Sequence, residues 1–523
     1  MAEFVVVVTW VGPLFVPSTS GRARVDSLTQ VEPEDDPSDA VVESLGARVG
    51  ATAELPKGFA FPGFVDAHAH LGRLGMAPDS IRLEGDESLS ALRRKLHGPV
   101  TPDAWLVGYG WRTLTVDTAP TSHLDPTQHP EPRRVLDELR SDVPIALTRA
   151  DGHALWVNSL GLRCAGIERQ TADPPGGWLG RGRDGEPNGL LVDSAMELVR
   201  AHIPPVRDAA LDAMVLEEAG CFHRTGVTCV HEMVVDAQLF ASLRRLEQGR
   251  TLPLRVRAFI YPEPDALAML PERKVAPSPA RLGVRGLKLF ADGALGSGGA
   301  RLSTGGGVQP DSASRFRAVI DKAQREGWQV AVHAIGDVAV RDAVDALQVA
   351  PPGARWRVEH VQVAQPSELR RMAALGLCAS VQPLHALSDL PWAQRTLAPE
   401  LLVHAYPWRA LRRAGVRFGF GSDHPIETSQ AATTLWGATM RQTEAGVQLP
   451  GEAQRLDRRD ALWALTGGAA SLTFDEPWLG QLWPGFRADF SVWDTDLSAC
   501  TPQSLLTARC LATVVAGRLV WER

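Results

Sequence analysis

The chain has 523 residues, too many for one ordinary hydrophobic core, so two or three domains are expected. With 44% hydrophobic and 22% charged residues the composition is globular, which excludes a disordered polymer. A net charge of -7 offers no basic footprint for nucleic acid or anionic lipid, so neither nucleic acid nor a membrane is expected as a partner and a small molecule is. Six cysteines (Cys164, Cys221, Cys229, Cys378, Cys500 and Cys510) show no Cys-x-x-Cys spacing. Neither a zinc ribbon nor a disulfide framework is expected, and a cytoplasmic location fits this usage.

In chain order, residues 4–16 form an apolar run with no basic flank and no cleavage site, too short to span a bilayer. They read as short strands, at 4–8 and 14–16, followed by an acidic loop at 31–39. Strand-like runs at 490–493 and 512–521 close the chain. The two ends are expected to share one β-domain, residues 1–60 together with 478–523.

Between them, apolar runs ending in polar residues occur at 64–70, 227–232, 254–261, 286–292, 329–333, 357–360, 378–382 and 416–423. Helix-like segments with apolar residues at three-and-four spacing separate the later ones, at 315–326, 338–348, 365–375 and 407–414. Strand and helix alternating eight times predict a (β/α)8 TIM barrel over residues 61–477, whose site is assembled at the C-terminal strand ends. The connection after the first strand, about 72–220, is far longer than a βα unit needs. It contains its own strand-like pieces at 105–111 and 145–149, the stretch 151–159, and a Gly/Pro/Arg-rich loop at 174–189. An inserted lid subdomain over the barrel mouth is expected, shielding the site and reading the substrate.

The stretch Gly63-Phe64-Val65-Asp66-Ala67-His68-Ala69-His70 places two histidines one residue apart. In a strand such residues share a face, and paired imidazoles can grip one cation from one side. The barrel register adds Lys288 on strand 4, His333 on strand 5, His360 on strand 6 and Asp423 on strand 8. Six polar groups converging on one mouth need a shared partner, and a divalent ion meets that need. Imidazole and carboxylate donors without thiolate suit zinc, with manganese, iron, cobalt or nickel compatible. Lys288 as an ammonium cannot ligate a cation. Carbamylated by carbon dioxide it becomes a bridging anion for two metals; otherwise one metal is held by the histidines and Asp423, with Lys288 hydrogen-bonding nearby.

The chain resembles the amidohydrolase superfamily through Pro62-Gly63-Phe64-Val65-Asp66-Ala67-His68-Ala69-His70, the single histidines His333 and His360, and Gly421-Ser422-Asp423. Within it the chain is similar to the amidohydrolase family 3 branch that includes N-substituted formamide deformylases. That likeness is carried by residues 151–159, 287–297, 332–337, 358–360, 382–386 and 389–392, and it runs over nearly the whole chain. The resemblance implies a barrel flanked by a composite β-sandwich domain from both termini. It also implies a metal-dependent hydrolase with His68, His70, His333 and His360 as ligands, Lys288 as a carbamylated bridge, and Asp423 as ligand and proton shuttle. His424 stands where relatives often carry an apolar aromatic residue, a departure that could tune Asp423 or the substrate pocket.

The expected reaction is hydrolysis of an amide-type carbon–nitrogen bond (amide, N-formyl or carbamoyl) in a small molecule. Asp423 takes a proton during attack on the carbonyl carbon and returns it to the leaving nitrogen. His153 or His385 is a candidate for assisting oxyanion stabilisation. Trp111, Trp156, Trp178 and Trp392 are candidates for an apolar wall around a hydrophobic substituent. Two competing readings remain, a mononuclear ring-amidine deaminase and a non-catalytic metal-binding receptor. Lys288 argues against the first and Asp423 against the second. A homo-oligomer is compatible with the sequence, which does not encode the oligomeric state legibly.

Overall fold

Each of the eight apolar runs becomes a strand of one parallel sheet. The computed structural model describes residues 56–523 apart from 57, 73–79, 86, 99–103, 117–118, 271–279, 449 and 484, without the side chains of 84, 85, 119–123, 390–392, 395 and 396. The barrel strands are Phe64–Ala69, Val227–Val235, Arg255–Ile260, Leu282–Phe290, Gln329–Ala334, Arg357–His360, Cys378–Val381 and Arg417–Phe420, neighbours in sequential order. The fourth begins four residues before the expected 286, because Gly283 and Arg285 break the apolar pattern, and its ladder to the third strand shifts register at Arg285, between the pairs Ala258–Val284 and Phe259–Gly286. Closure of the eighth strand on the first is made at the C-terminal ends. There Asp423 N donates to His68 O at 2.7 Å and His70 N to His424 O at 2.8 Å. The hydrogen bonds that shut the barrel therefore run through candidate site residues.

The helices form where the spacing places them. In Ala313–Glu326 the buried residues Phe316, Val319, Ile320 and Ala323 follow one another at three-and-four spacing, making a stripe that packs on the sheet. The Ser312 side chain accepts from Arg315 N at the start, and Gly327, at φ 78°, ends the helix in the left-handed region.

TIM-barrel interiors are usually filled with branched apolar side chains. Towards its N-terminal end this one is charged instead. Arg257 bonds Asp475 at 2.7 Å, Arg285 bonds the same carboxylate at 3.1 Å, and Arg255 bonds Asp489 at 2.6 Å, all five buried. Burial opposes ionisation of Asp475, but Arg257 and Arg285 outweigh it and hold its pKa at about 2.

The long connection builds its own sheet of Ile81–Gly85, Leu106–Trp111, Ile145–Arg149, Ala154–Val157, Pro187–Asp193 and Gly177–Arg181, in that spatial order. The expected loop at 174–189 is corrected: it supplies two paired antiparallel strands. Gly180 permits the close pairing, since a Cβ there would lie 2.3 Å from Asn188 Oδ1, while Gly185, at φ 82°, lies in the turn between the two strands.

Phe59–Pro62 pairs with three strands near the C-terminus, Phe490–Trp493, Cys510–Val515 and Arg518–Glu522, in a separate antiparallel sheet. Ala516 and Gly517, at φ 52° and 72°, turn the last hairpin, both positive as a tight hairpin requires. Among the described residues this is one sheet. The strands expected at 4–8 and 14–16 and the loop at 31–39 lie outside them.

Candidate active site

The six polar residues expected at the strand ends do converge. His68 and His70 leave the first strand on one face, with ring centroids 5.4 Å apart. His360 approaches His68 at 4.6 Å and His333 at 4.4 Å. Asp423 Oδ1 lies 3.4 Å from His68 Nε2 and 3.0 Å from His70 Nε2. His385, at the start of the helix Pro383–Thr396, joins them: its ring stacks on His360 at 6.0 Å and its Nε2 faces Asp423 Oδ2 at 3.4 Å.

Backbone strain accompanies this convergence. His360, Val361 and Asp423 have φ of 72°, 46° and 59°, a region that costs a residue with a side chain roughly 1–3 kcal/mol. Along the strand Arg357–His360 side chains should alternate, so Glu359 and His360 should face opposite ways. The positive φ at His360 ends the pleat, and both side chains reach the cluster.

Neighbouring residues not identified from the sequence fix the tautomers. Nδ1 of His68 donates to Glu359 Oε2 at 2.8 Å and Nδ1 of His360 to Gln382 Oε1 at 2.9 Å, which leaves Nε2 of both rings with a free lone pair. Glu359 is held in turn by Arg357, whose Nη1 reaches His231 Nδ1 at 3.0 Å. Glu232 Oε1 lies 3.6 Å from His70 Nδ1. Asp66 accepts from the backbone and hydroxyl of Ser422 at 2.9 and 2.5 Å, fixing the turn that presents Asp423.

Burial and neighbouring charges set the protonation of the cluster. Burial lowers the pKa of His68, His333 and His360 well below the ordinary value, and the Lys288 ammonium lowers them further, so the rings are neutral donors. Burial also acts against His70, but Asp423 and Glu232 outweigh it and raise it to about 9. Asp423 is held well below the usual carboxylate range, because His68 and His70 outweigh its burial.

A metal fits these residues. His68, His360 and Asp423 each offer a ligand atom, and those atoms lie within 4.8 Å of one another, all buried. Lys288 is fully buried and its Nζ has no hydrogen-bond partner, resting 4.9 Å from the Phe290 ring centroid. Burial lowers its pKa to about 8, which makes the free amine accessible near neutrality. A buried unpartnered cation beside three histidines is the arrangement a carbamate and a metal would relieve.

From the insert, His153 enters the cluster with its ring centroid 5.1 Å from His333. Its Nδ1 donates to Asp193 Oδ1 at 2.5 Å, and although burial works against it, Asp193 raises its pKa.

Two of the tryptophan expectations are corrected. Trp111 and Trp156 are fully buried, packed edge to face at 5.8 Å inside the insert's own core. Their indole N–H groups are satisfied by the carbonyls of Leu147 and Pro132, at 2.7 and 2.9 Å. Tryptophan's large apolar area decides the matter in favour of packing. Trp178 is partly buried against the same core, and the Trp392 side chain lies outside the described ones. His424 turns away from Asp423: its Nε2 bonds Glu218 at 2.5 Å and its ring meets Phe222 at 5.0 Å.

The amidohydrolase family model matches residues 56–521. The chain belongs to the amidohydrolase family. It is 31% identical over 484 residues to YtcJ of Bacillus subtilis (strain 168), covering 88% of this chain and 89% of YtcJ. It is 27% identical over 495 residues to the N-substituted formamide deformylase of Arthrobacter pascens, covering 88% of each chain. Among solved structures, an uncharacterized metal-dependent hydrolase from Pyrococcus horikoshii OT3 superposes with a TM-score of 0.69 at 26% identity, covering 88% of this chain and 90% of that one. Family membership agrees with the barrel and with the motifs that carry the histidines.

Proposed function

We propose that this amidohydrolase is metal-dependent and hydrolyses an amide, N-formyl or carbamoyl carbon–nitrogen bond of a small molecule. The observation that carries the reading is Asp423, whose one oxygen faces His68 and His70 and whose other faces His385. A carboxylate so placed can both ligate a cation and exchange a proton with a reacting group beside it. The deformylase relative supports the bond type, and the Pyrococcus relative supports the metal.

His68, His70, His333, His360 and Asp423 would hold zinc or a similar divalent ion, with Lys288 as a carbamate bridge if a second ion is bound. The metal when bound supplies water acidic enough to be a nucleophile near neutral pH and polarises the carbonyl. Asp423 accepts the proton as the carbonyl carbon is attacked and delivers it to the leaving nitrogen. His385 faces the far oxygen of Asp423 and remains a candidate for assisting oxyanion stabilisation. The insert, meeting the cluster through His153, excludes water and reads the substrate.

Among the described residues no helix is long and apolar enough to cross a membrane. All six cysteines are free, which suits a reducing cytoplasm. The test is a screen of N-formyl, N-acyl and carbamoyl compounds with metal analysis on the same preparation. Turnover by zinc-bearing protein supports the reading, and ligand binding without turnover across the panel would replace it with a receptor.

A further inference from the structure

A line of buried polar side chains runs through the barrel from the cluster at its mouth towards its charged N-terminal end, and the reaction above uses only the first of them. Glu359 accepts from His68, and Arg357 grips Glu359. Beyond Arg357 stands His231 of the strand Val227–Val235, its Nδ1 3.0 Å from Arg357 Nη1 and its Nε2 3.1 Å from Thr473 Oγ1. Thr473 follows the helix Gly467–Ser471, and the same oxygen lies 2.7 Å from Asp475 Oδ2. Asp475 is the carboxylate that Arg257 and Arg285 hold.

Hydrogen-bond chemistry lets this line run only one way. A guanidinium donates and never accepts, so His231 Nδ1 is the acceptor of the Arg357 contact. The ring proton then sits on Nε2 and goes to Thr473 Oγ1. Thr473 has one hydroxyl proton, and Asp475 at 2.7 Å takes it in preference to Ala470 O at 3.4 Å. Both nitrogens of His231 are thereby spent on Arg357 and Thr473.

Stability alone is a poor reason for such a line. His68, Glu359, Arg357, His231, Thr473 and Asp475 are all buried, and burying charged pairs costs desolvation that apolar packing of similar volume avoids. What the polar line supplies and packing does not is a fixed orientation. Arg357 serves Glu359 through Nε and Nη2 and His231 through Nη1, and its Nη2 also donates at 2.7 Å to Ala67 O, the carbonyl preceding His68. Held at all of these points, the guanidinium presents Glu359 to the His68 ring in one place.

We propose that His231 and Thr473 are positioning residues that hold the Arg357–Glu359 clamp, and through it the metal-facing nitrogen of His68, in register with Asp475. The orientation of a ligand at the mouth is then set in part by the chain segment after the last barrel helix. The proposal rests on the metal-binding part of the proposed function and not on the bond hydrolysed.

Two pairs of variants separate positioning from packing. His231→Leu and Thr473→Val keep the approximate shape and break the line, whereas His231→Gln retains an acceptor with a donor and Thr473→Ser retains the hydroxyl. Each protein is stripped by chelator and titrated with zinc against a chelator of known affinity, then with cobalt for its visible absorption spectrum, and its urea midpoint is measured. The first pair is expected to bind zinc about tenfold more weakly and to alter the cobalt spectrum, and the second pair to recover most of both. In a Glu359→Gln background His231→Leu should add less than about twofold, because residues acting through one carboxylate do not act independently. In histidine-labelled, metal-free protein the downfield Nδ1 proton of His68, assigned by its loss in His68→Gln, should shift in the first pair and stay in the second. A lowered urea midpoint with unchanged zinc affinity, cobalt spectrum and His68 proton would overturn the proposal, as would a second pair as impaired as the first or a loss confined to His231→Leu. Should His231→Leu fail to fold, Thr473→Val against Thr473→Ser decides alone. If wild type takes up neither metal, the reading of function fails while the His68 proton in the metal-free protein still decides the role of the line.

Discussion

Glu359 and His68 are joined inside the barrel by a 2.8 Å hydrogen bond from Nδ1 of the imidazole to Oε2 of the carboxylate, and both side chains are buried. Arg357 grips the same carboxylate through Nε at 2.8 Å and Nη2 at 2.9 Å. The pair fixes which nitrogen of His68 faces the cluster. Glu359→Gln keeps the shape but can donate as well as accept, so it weakens control of the tautomer. Zinc affinity, read by competition with a chelator of known affinity, is expected to fall about 10- to 100-fold.

Asp423→Asn retains an oxygen donor and removes the proton acceptor. Zinc per chain should remain at the wild-type value while kcat falls by about 10²- to 10⁴-fold. Retained turnover with full zinc content would remove Asp423 from the shuttle role.

Lys288→Ala tests the number of metals. If Lys288 carries a bridging carbamate, the variant binds less metal, and a short carboxylic acid added in excess restores part of it. An unchanged metal-to-protein ratio would favour a single ion held by the histidines and Asp423.

His223, at the end of the helix Asp208–His223, is 3% exposed, with Nε2 lacking a hydrogen-bond partner. Burial, reinforced by Arg281, lowers its pKa from 6.5 to about 4. The unfolded chain therefore binds a proton between those values that the folded chain refuses, and stability is lost as pH falls from about 6.5 to about 4. Urea unfolding of wild type against His223→Asn should show the variant losing roughly 3 kcal/mol less over that window. Parallel losses would place the acid sensitivity elsewhere.

The barrel was legible because parallel strands buried on both faces leave near-continuous apolar runs, and most of them end in a polar residue of the cluster. His68, Lys288, His333, His360 and Asp423 could be named for that reason. Glu359 could not, because strand alternation sends it away from His360, and only the positive φ at His360 lets both face the cluster. Glu232 and Asp193 were equally hidden: a carboxylate at a strand end is ordinary in sequence, and their partners lie far along the chain. Trp111 and Trp156 misled because a tryptophan beside a motif reads alike whether it lines a pocket or fills a core. The glycines of 174–189 suggested a loop, although some of them permit close strand pairing.

The most direct measurement is a metal titration coupled to turnover. Protein stripped by chelator is assayed on an N-formyl, N-acyl or carbamoyl compound turned over by the untreated protein, while zinc is returned stepwise. The account predicts that the stripped protein is inactive and that activity rises in proportion to bound zinc until the site is filled. Full activity in the stripped protein, or zinc that binds without restoring turnover, would contradict it.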